Sequence, residues 1–336
     1  GGKGYYALDV TDPANPKALW EFKHTTTCAG TPAGQTSDCN LGLSYGNPQI
    51  SKITVAGVKK WVVFVTSGYN NADPSAPVTG DGQGFLYVLD ANTGTIIYKI
   101  GTGVGDATTP SGLGKINNFV LDTVKDNKTE HVYGVDLLGN VWRFEVNATQ
   151  SATKMITLED DTTPTPVPQP ITTRPELAEF GSPPQAYVFV STGKYLGSTD
   201  LASTQKQTVW GIKDTGTYPV ATPRTSMSQL SITAVGDVRS IACLTNCTTN
   251  AGWYADLPIS GERVNVDMKL QLGTLVVASN IPQNNACNIG GFSFLNFFDA
   301  RNGLQVAGSA SFGTKLSDSL AVGINVVRLP DGRTVV

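Results

Sequence analysis

One unit recurs along this chain and narrows what it can fold into. It consists of an aromatic-rich strand, an aspartate, a turn carrying glycine or proline, and a return strand with an aromatic. The first copy runs over residues 4–9, turns over 10–16 and returns over 18–22 through Trp20. The second covers 84–90, 91–94 and 95–100, and the third covers 131–136, 137–140 and 141–144 with Trp142. A looser fourth copy, residues 293–303, keeps the aspartate as Asp299. Alternating apolar and polar residues suit a strand with one buried face. The aspartate can accept hydrogen bonds from turn amides, and Asn-x-Gly or Gly-Asn supplies the positive φ of a tight hairpin. The aromatic of the return strand is placed to fill the gap between neighbouring sheets.

Further strands are expected at residues 61–66, 186–190, 208–212 and 273–278, and no long stretch keeps a helical period. Four-stranded sheets set radially solve the open-edge problem without barrel closure. The chain is therefore expected to be all-β: a modified β-propeller of about seven blades, forming one domain over residues 1–336. A pair of β-sandwiches is the alternative. Residues 70–84, rich in Pro, Gly and Asp, and residues 160–175, an extended crossover between blades, read as loops.

Charged residues make up 15% of the chain, against a usual share of about 25%. With 36 Gly and 19 Pro, this fits many turns between short strands. Disorder would require more charge and fewer aromatics than five Trp, eleven Tyr and twelve Phe. The net charge is −3 with Lys and Arg scattered, so no basic stripe points to nucleic acid. No apolar run approaches the roughly 18 residues of a membrane span. The sequence opens inside a strand motif and closes on Thr334-Val335-Val336, so it reads as a fragment of a longer protein. The lack of a leader then says nothing about export.

Five cysteines are present. Cys28 and Cys39 bracket a polar loop, and a bridge there would restrict the unfolded chain by about 3 kcal/mol. Cys243 and Cys247 could pair with each other, or one of them with Cys287; free buried thiols are the alternative. The two histidines, His24 and His131, do not fall at zinc-ligand spacing from any cysteine pair. An oxidising compartment is favoured.

Several phrases, in order along residues 4–303, resemble the PilC/PilY family of type IV pilus tip adhesins. They include residues 7–13 with 19–22, residues 134–144, and residues 190–196 with Asp200 and 207–212. Residues 252–258 with Ser260-Gly261-Glu262-Arg263, and Asn280-Ile281-Pro282 with Cys287 and Gly290-Gly291, complete the set. The resemblance implies a C-terminal modified propeller that follows a divergent, adhesive N-terminal region absent here. It further implies a non-enzymatic pilus assembly and tip factor that supports extension against retraction and contact with surfaces. Its partners would be minor pilins of the tip complex and host or other surfaces. Its location would be the pilus tip and the cell surface or outer membrane, with the periplasm crossed in transit. A purely adhesive, host-ligand-binding propeller is the alternative.

The same family carries a calcium loop 14 residues before the Asp of its Tyr-x-Gly-Asp strand, and Asp122 stands 14 residues before Asp136. The EF-hand-like reading takes ligands from Asp122, Val124, Asp126, Lys128 through its carbonyl, and Glu130. Two departures are visible. Val124 offers no side-chain oxygen at the third position, and Asn127 stands where Gly is preferred, although Asn tolerates the left-handed conformation. The other reading is a polar hairpin with surface carboxylates. A second acidic pair, Asp73 with Asp81, reads as a solvated loop.

Residues 88–94, Val-Leu-Asp-Ala-Asn-Thr-Gly, also resemble the repeats of quinoprotein dehydrogenases. Those enzymes use two adjacent cysteines against the quinone, and no two cysteines are adjacent here. His24 and His131 read as structural or solvated, Asp160 and Asp161 lie in the crossover, and no phosphate-loop or nucleophile-elbow motif occurs. The expectation is that the chain is not an enzyme.

Overall fold

A computed structural model describes residues 2–28, 31–72, 80–120, 124–248, 251–285, 288–330 and 334–336. The chain divides into two compact units, Gly1–Met155 and Ile156–Val336. In the first, β1 (Gly4–Asp9), β2 (Lys17–His24) and β3 (Ser37–Asp38) form a three-stranded sheet. β4 (Gln49–Val55), β5 (Val58–Thr66), β6 (Phe85–Asp90) and β7 (Ile96–Gly101) follow as a four-stranded antiparallel meander. β8 (Lys115–Val120), β9 (Thr129–Val135), β10 (Asn140–Glu145) and β11 (Ser151–Thr157) make a second four-stranded sheet.

Residues 62–66 of β5 and the interior of β6 are buried on both faces, and their alternate residues enter two different cores. Val62, Phe64, Leu86 and Val88 pack with Val132, Trp142 and Phe144. Val63, Val65, Tyr87 and Leu89 pack with Tyr5 and Phe22 instead. A sheet covered on each face by another sheet is the construction of a propeller blade.

The repeat explains how the sheets lock together. Its aspartates cap their turns as expected: the amides of Thr11, Asn92 and Arg301 donate to Asp9, Asp90 and Asp299 at 2.9, 2.9 and 3.0 Å. Asp136 is buried and accepts from the amides of Leu138 and Asn140 and from Trp142 Nε1. The expected aromatic filler is Trp20, whose Nε1 donates to the Ala91 carbonyl at 2.9 Å. Its ring lies over Gly94, where an added Cβ would stand 2.6 Å from the ring. Trp253 repeats the arrangement in the second unit, donating to the Ala300 carbonyl at 3.1 Å over Gly303.

The second unit opens with β12 (Glu159–Asp160) and β13 (Val167–Pro168), a short ladder inside the crossover. Asp160 there is buried and accepts from Thr162 and the Lys206 amide, so the crossover is tied down and not a free loop. Then come β14 (Glu176–Phe180), β15 (Gln185–Ser191), a 3₁₀ turn (Ser198–Ala202), β16 (Thr208–Lys213) and a one-turn helix, α1 (Pro223–Ser226). They are followed by β17 (Ser228–Val235), β18 (Val238–Thr245), β19 (Gly252–Asp256), β20 (Lys269–Gln271), β21 (Thr274–Asn285), β22 (Asn288–Asp299) and β23 (Gly313–Ser317). A last short pair is β24 (Val327–Arg328) with β25 (Thr334–Val335).

Separate sheets were expected here, but β14 to β23 form one ten-stranded sheet. Two four-stranded antiparallel sets, β14-β15-β16-β19 and β20-β21-β22-β23, are joined by the β17–β18 hairpin. β17 lies parallel to β19, while the start of β18 pairs with β23. With the first unit, the described strands account for five of the about seven blade-like sets that the repeats suggest.

Disulfides join Cys28 to Cys39 and Cys243 to Cys247. Cys243 lies on β18 and not in a loop, and Cys287 lies outside the described residues.

Candidate functional site

The segment between β8 and β9 carries the predicted metal loop. Asp122 and Thr123 lie outside the described residues, as does Asp73 of the second acidic pair. From Val124 onward the loop is a turn whose backbone is fixed at Asn127, with φ +51 as its residue type allows. The Asn127 carbonyl accepts from Ser51 Oγ at 2.6 Å and from the Lys52 amide at 3.1 Å, so the loop is docked on β4. The next residue, Lys128, makes an isolated parallel bridge with Lys52 just before β9 begins at Thr129.

This docking decides which groups meet. Asp126 Oδ1 accepts from the Lys128 amide at 3.1 Å, an Asx-type turn. Asp126 Oδ2 accepts from Lys59 Nζ at 2.6 Å. That hydrogen bond holds the Asp126 carboxyl below the usual carboxylate range. Glu130 pairs with Lys128 Nζ at 3.4 Å. Val124 is 93% exposed. The donor chemistry of Asp126, Glu130 and the Lys128 carbonyl is the hard oxygen chemistry that calcium takes. Each of the two described carboxylates, however, already carries a lysine ammonium. Among the described residues, no three metal-ligating side chains converge. Asp81 is engaged in its own turn, its amide donating to Asn40 Oδ1 and its Oδ1 accepting from Gln83 N.

The histidines make local contacts: His24 Nδ1 lies 2.9 Å from the Leu41 carbonyl, and His131 sits against Glu145 and Arg143. Two groups that carry structural weight escape a reading of local sequence. Glu262 receives a two-pronged ion pair from Arg239 at 2.7 and 2.9 Å, both side chains fully buried. Arg263 gathers the carbonyls of Lys194, Asp200, Ser203 and Gly261, clamping the loop in which Asp200 caps the amides of Leu196 and Gly197. Ser260-Gly261-Glu262-Arg263 therefore pins the β17–β18 hairpin with one residue and the 194–203 loop with the next. Lys59 likewise stands 67 residues from Asp126, a separation that hides the pair from any motif.

Blade-like sheets, turn-capping aspartates and tryptophans docked on the neighbouring turn define an all-β protein of the propeller class. The model of the PilY1 beta-propeller domain matches residues 1–237, and the chain belongs to that family. A type IV pilus biogenesis factor PilY1 homolog of Xylella fastidiosa is 28% identical over 351 residues, 95% of this chain and 22% of that protein. A second from the same organism is 31% identical over 306 residues, covering 88% of this chain. PilY1 of Pseudomonas aeruginosa PAO1 is 27% identical over 353 residues, 90% of this chain and 28% of that protein. The chain thus spans roughly a quarter of the length of these relatives. The crystal structure of the P. aeruginosa PilY1 C-terminal domain shares the fold with a TM-score of 0.77 at 21% identity, over 99% of this chain and 76% of that one.

Proposed function

We propose that this chain is the non-enzymatic propeller of a type IV pilus biogenesis factor that works at the pilus tip, supporting extension against retraction and contact with surfaces. The observation that carries the reading is the ordered match, along 88–95% of this chain, to pilus biogenesis factors. The minor pilins of the tip complex are its partners in assembly, and it reaches the cell surface through the periplasm. Two disulfides in the described residues suit that oxidising route.

In this reading the loop takes calcium. Asp122, Asp126, Glu130 and the Lys128 carbonyl would hold the ion, and Val124 would contribute nothing beyond its backbone. The ion supplies charge neutralisation that orders the turn between β8 and β9, and with it the surface presented to a partner.

The test is co-purification after mild cross-linking in piliated cells. Minor pilins recovered with the full-length protein, and lost when residues 1–336 are deleted, support the assembly role. Retention of the pilins together with loss of adherence points instead to a purely adhesive propeller.

A further inference from the structure

The sheet of β1 and β2 lacks inner strands, and its tryptophan shows which places are open. In the set β14-β15-β16-β19, Trp253 on the fourth strand docks on the turn after β22, the third strand of β20–β23. Trp20 on β2 docks in the same way on the turn after β6, the third strand of β4–β7. β2 therefore stands in a fourth place and β1 in a third. Among the described residues, the first and second places hold no strand. β3 closes the far edge of β2, so the open edge belongs to β1.

Alternate residues of an antiparallel strand turn both backbone groups to the same side. The His24 amide donates to the Lys3 carbonyl, so Lys3, Tyr5 and Ala7 face β2 while Gly4, Tyr6 and Leu8 face outward. The Gly4 carbonyl accepts from Ser44 Oγ at 2.9 Å on that side. Beyond it, none of the described residues hydrogen-bonds the outward backbone of Tyr6 or Leu8. At the matching places of β16 stand Trp210 and Ile212, which pair with Val190 and Val188 of β15 and are 0% exposed. Tyr6 is 74% and Leu8 47% exposed. An apolar edge with unpaired backbone groups is a template for a further strand.

We infer that an antiparallel pair of strands completes this sheet along Tyr6 and Leu8, supplied by the same polypeptide from outside residues 1–336. The chain spans 22–28% of its relatives and 76% of the PilY1 C-terminal domain that shares its fold, so there is chain to supply both strands. A strand lent by another protein would leave the edge open in every unassembled molecule, free to pair with a second copy. A strand of the same polypeptide closes it at the high effective concentration of an intramolecular contact.

Hydrogen exchange of the purified full-length protein, read by mass spectrometry on peptides spanning residues 4–9, tests this. The Tyr6 and Leu8 amides are expected to exchange at least about a thousandfold more slowly than unpaired amides. Replacing Tyr6 by the photoreactive p-benzoylphenylalanine should give, on illumination, an adduct within one molecule to a segment outside residues 1–336. Fast exchange at either amide, or no adduct to such a segment, overturns the inference. An adduct to a second copy or to another protein overturns it as well.

Discussion

Arg239 is a fully buried cation held by Glu262, by Asn296 Oδ1 at 3.1 Å and by the ring of Phe294, whose centroid lies 3.5 Å from its guanidinium, while its Nε is left without a hydrogen-bond partner. Removing one partner of a buried pair strands the other, so Arg239→Ala is expected to lower stability by about 3–5 kcal/mol. Replacing both Arg239 and Glu262 by Met should lose far less; urea unfolding of the two variants checks the difference. Tyr5 behaves in the opposite sense to a surface phenol. Burial pushes it up to about 12 from 10.0. The folded state thus favours the protonated ring: its contribution is complete below pH 10 and is lost as pH rises towards 12. Tyr5→Phe should flatten that alkaline limb of the stability profile, and an unchanged limb would assign it to other groups. Sequence alone marked Glu262 and Arg263 as part of one of the family-like phrases. It could not show that Glu262, in the turn after β19, faces Arg239 on β18, 23 residues away, because only the folded chain brings them together.

At the level of elements, the Trp-on-Gly lock sets how one sheet seats on the next. Gly94→Ala adds a Cβ to a residue with φ +69 and drives it into Trp20. Gly57→Ala, at φ +81, meets nothing within 4 Å and bears backbone strain alone, roughly 1–2 kcal/mol. The Gly94 variant should therefore be the less stable by about 1 kcal/mol or more. Equal losses in urea unfolding would mean that Trp20 yields freely. The four repeat turns were legible because each aspartate acts within a few residues. The β17–β18 hairpin was not. Its strands are half-polar, with Val235 and Val238 exposed, and they carry only a short apolar alternation at Leu230 and Ile232. They pair with each other across the turn at Gly236 and Asp237, and they are seated in the sheet by β19 and β23, partners that no local window contains.

For the molecule as a whole, the propeller class followed from repeats and the pilus family from ordered phrases. The loop chemistry followed only in part, since the register of Asp126 and Glu130 was readable while the lysines that face them were not. The proposed role is in assembly, the propeller supporting extension of the pilus against retraction. Surface pili counted by electron microscopy after in-frame deletion of residues 1–336 test it, in cells with and without a working retraction motor. Few or no pili are expected when retraction is active, and recovered pili when it is disabled. Unchanged pilus numbers in retracting cells would contradict it.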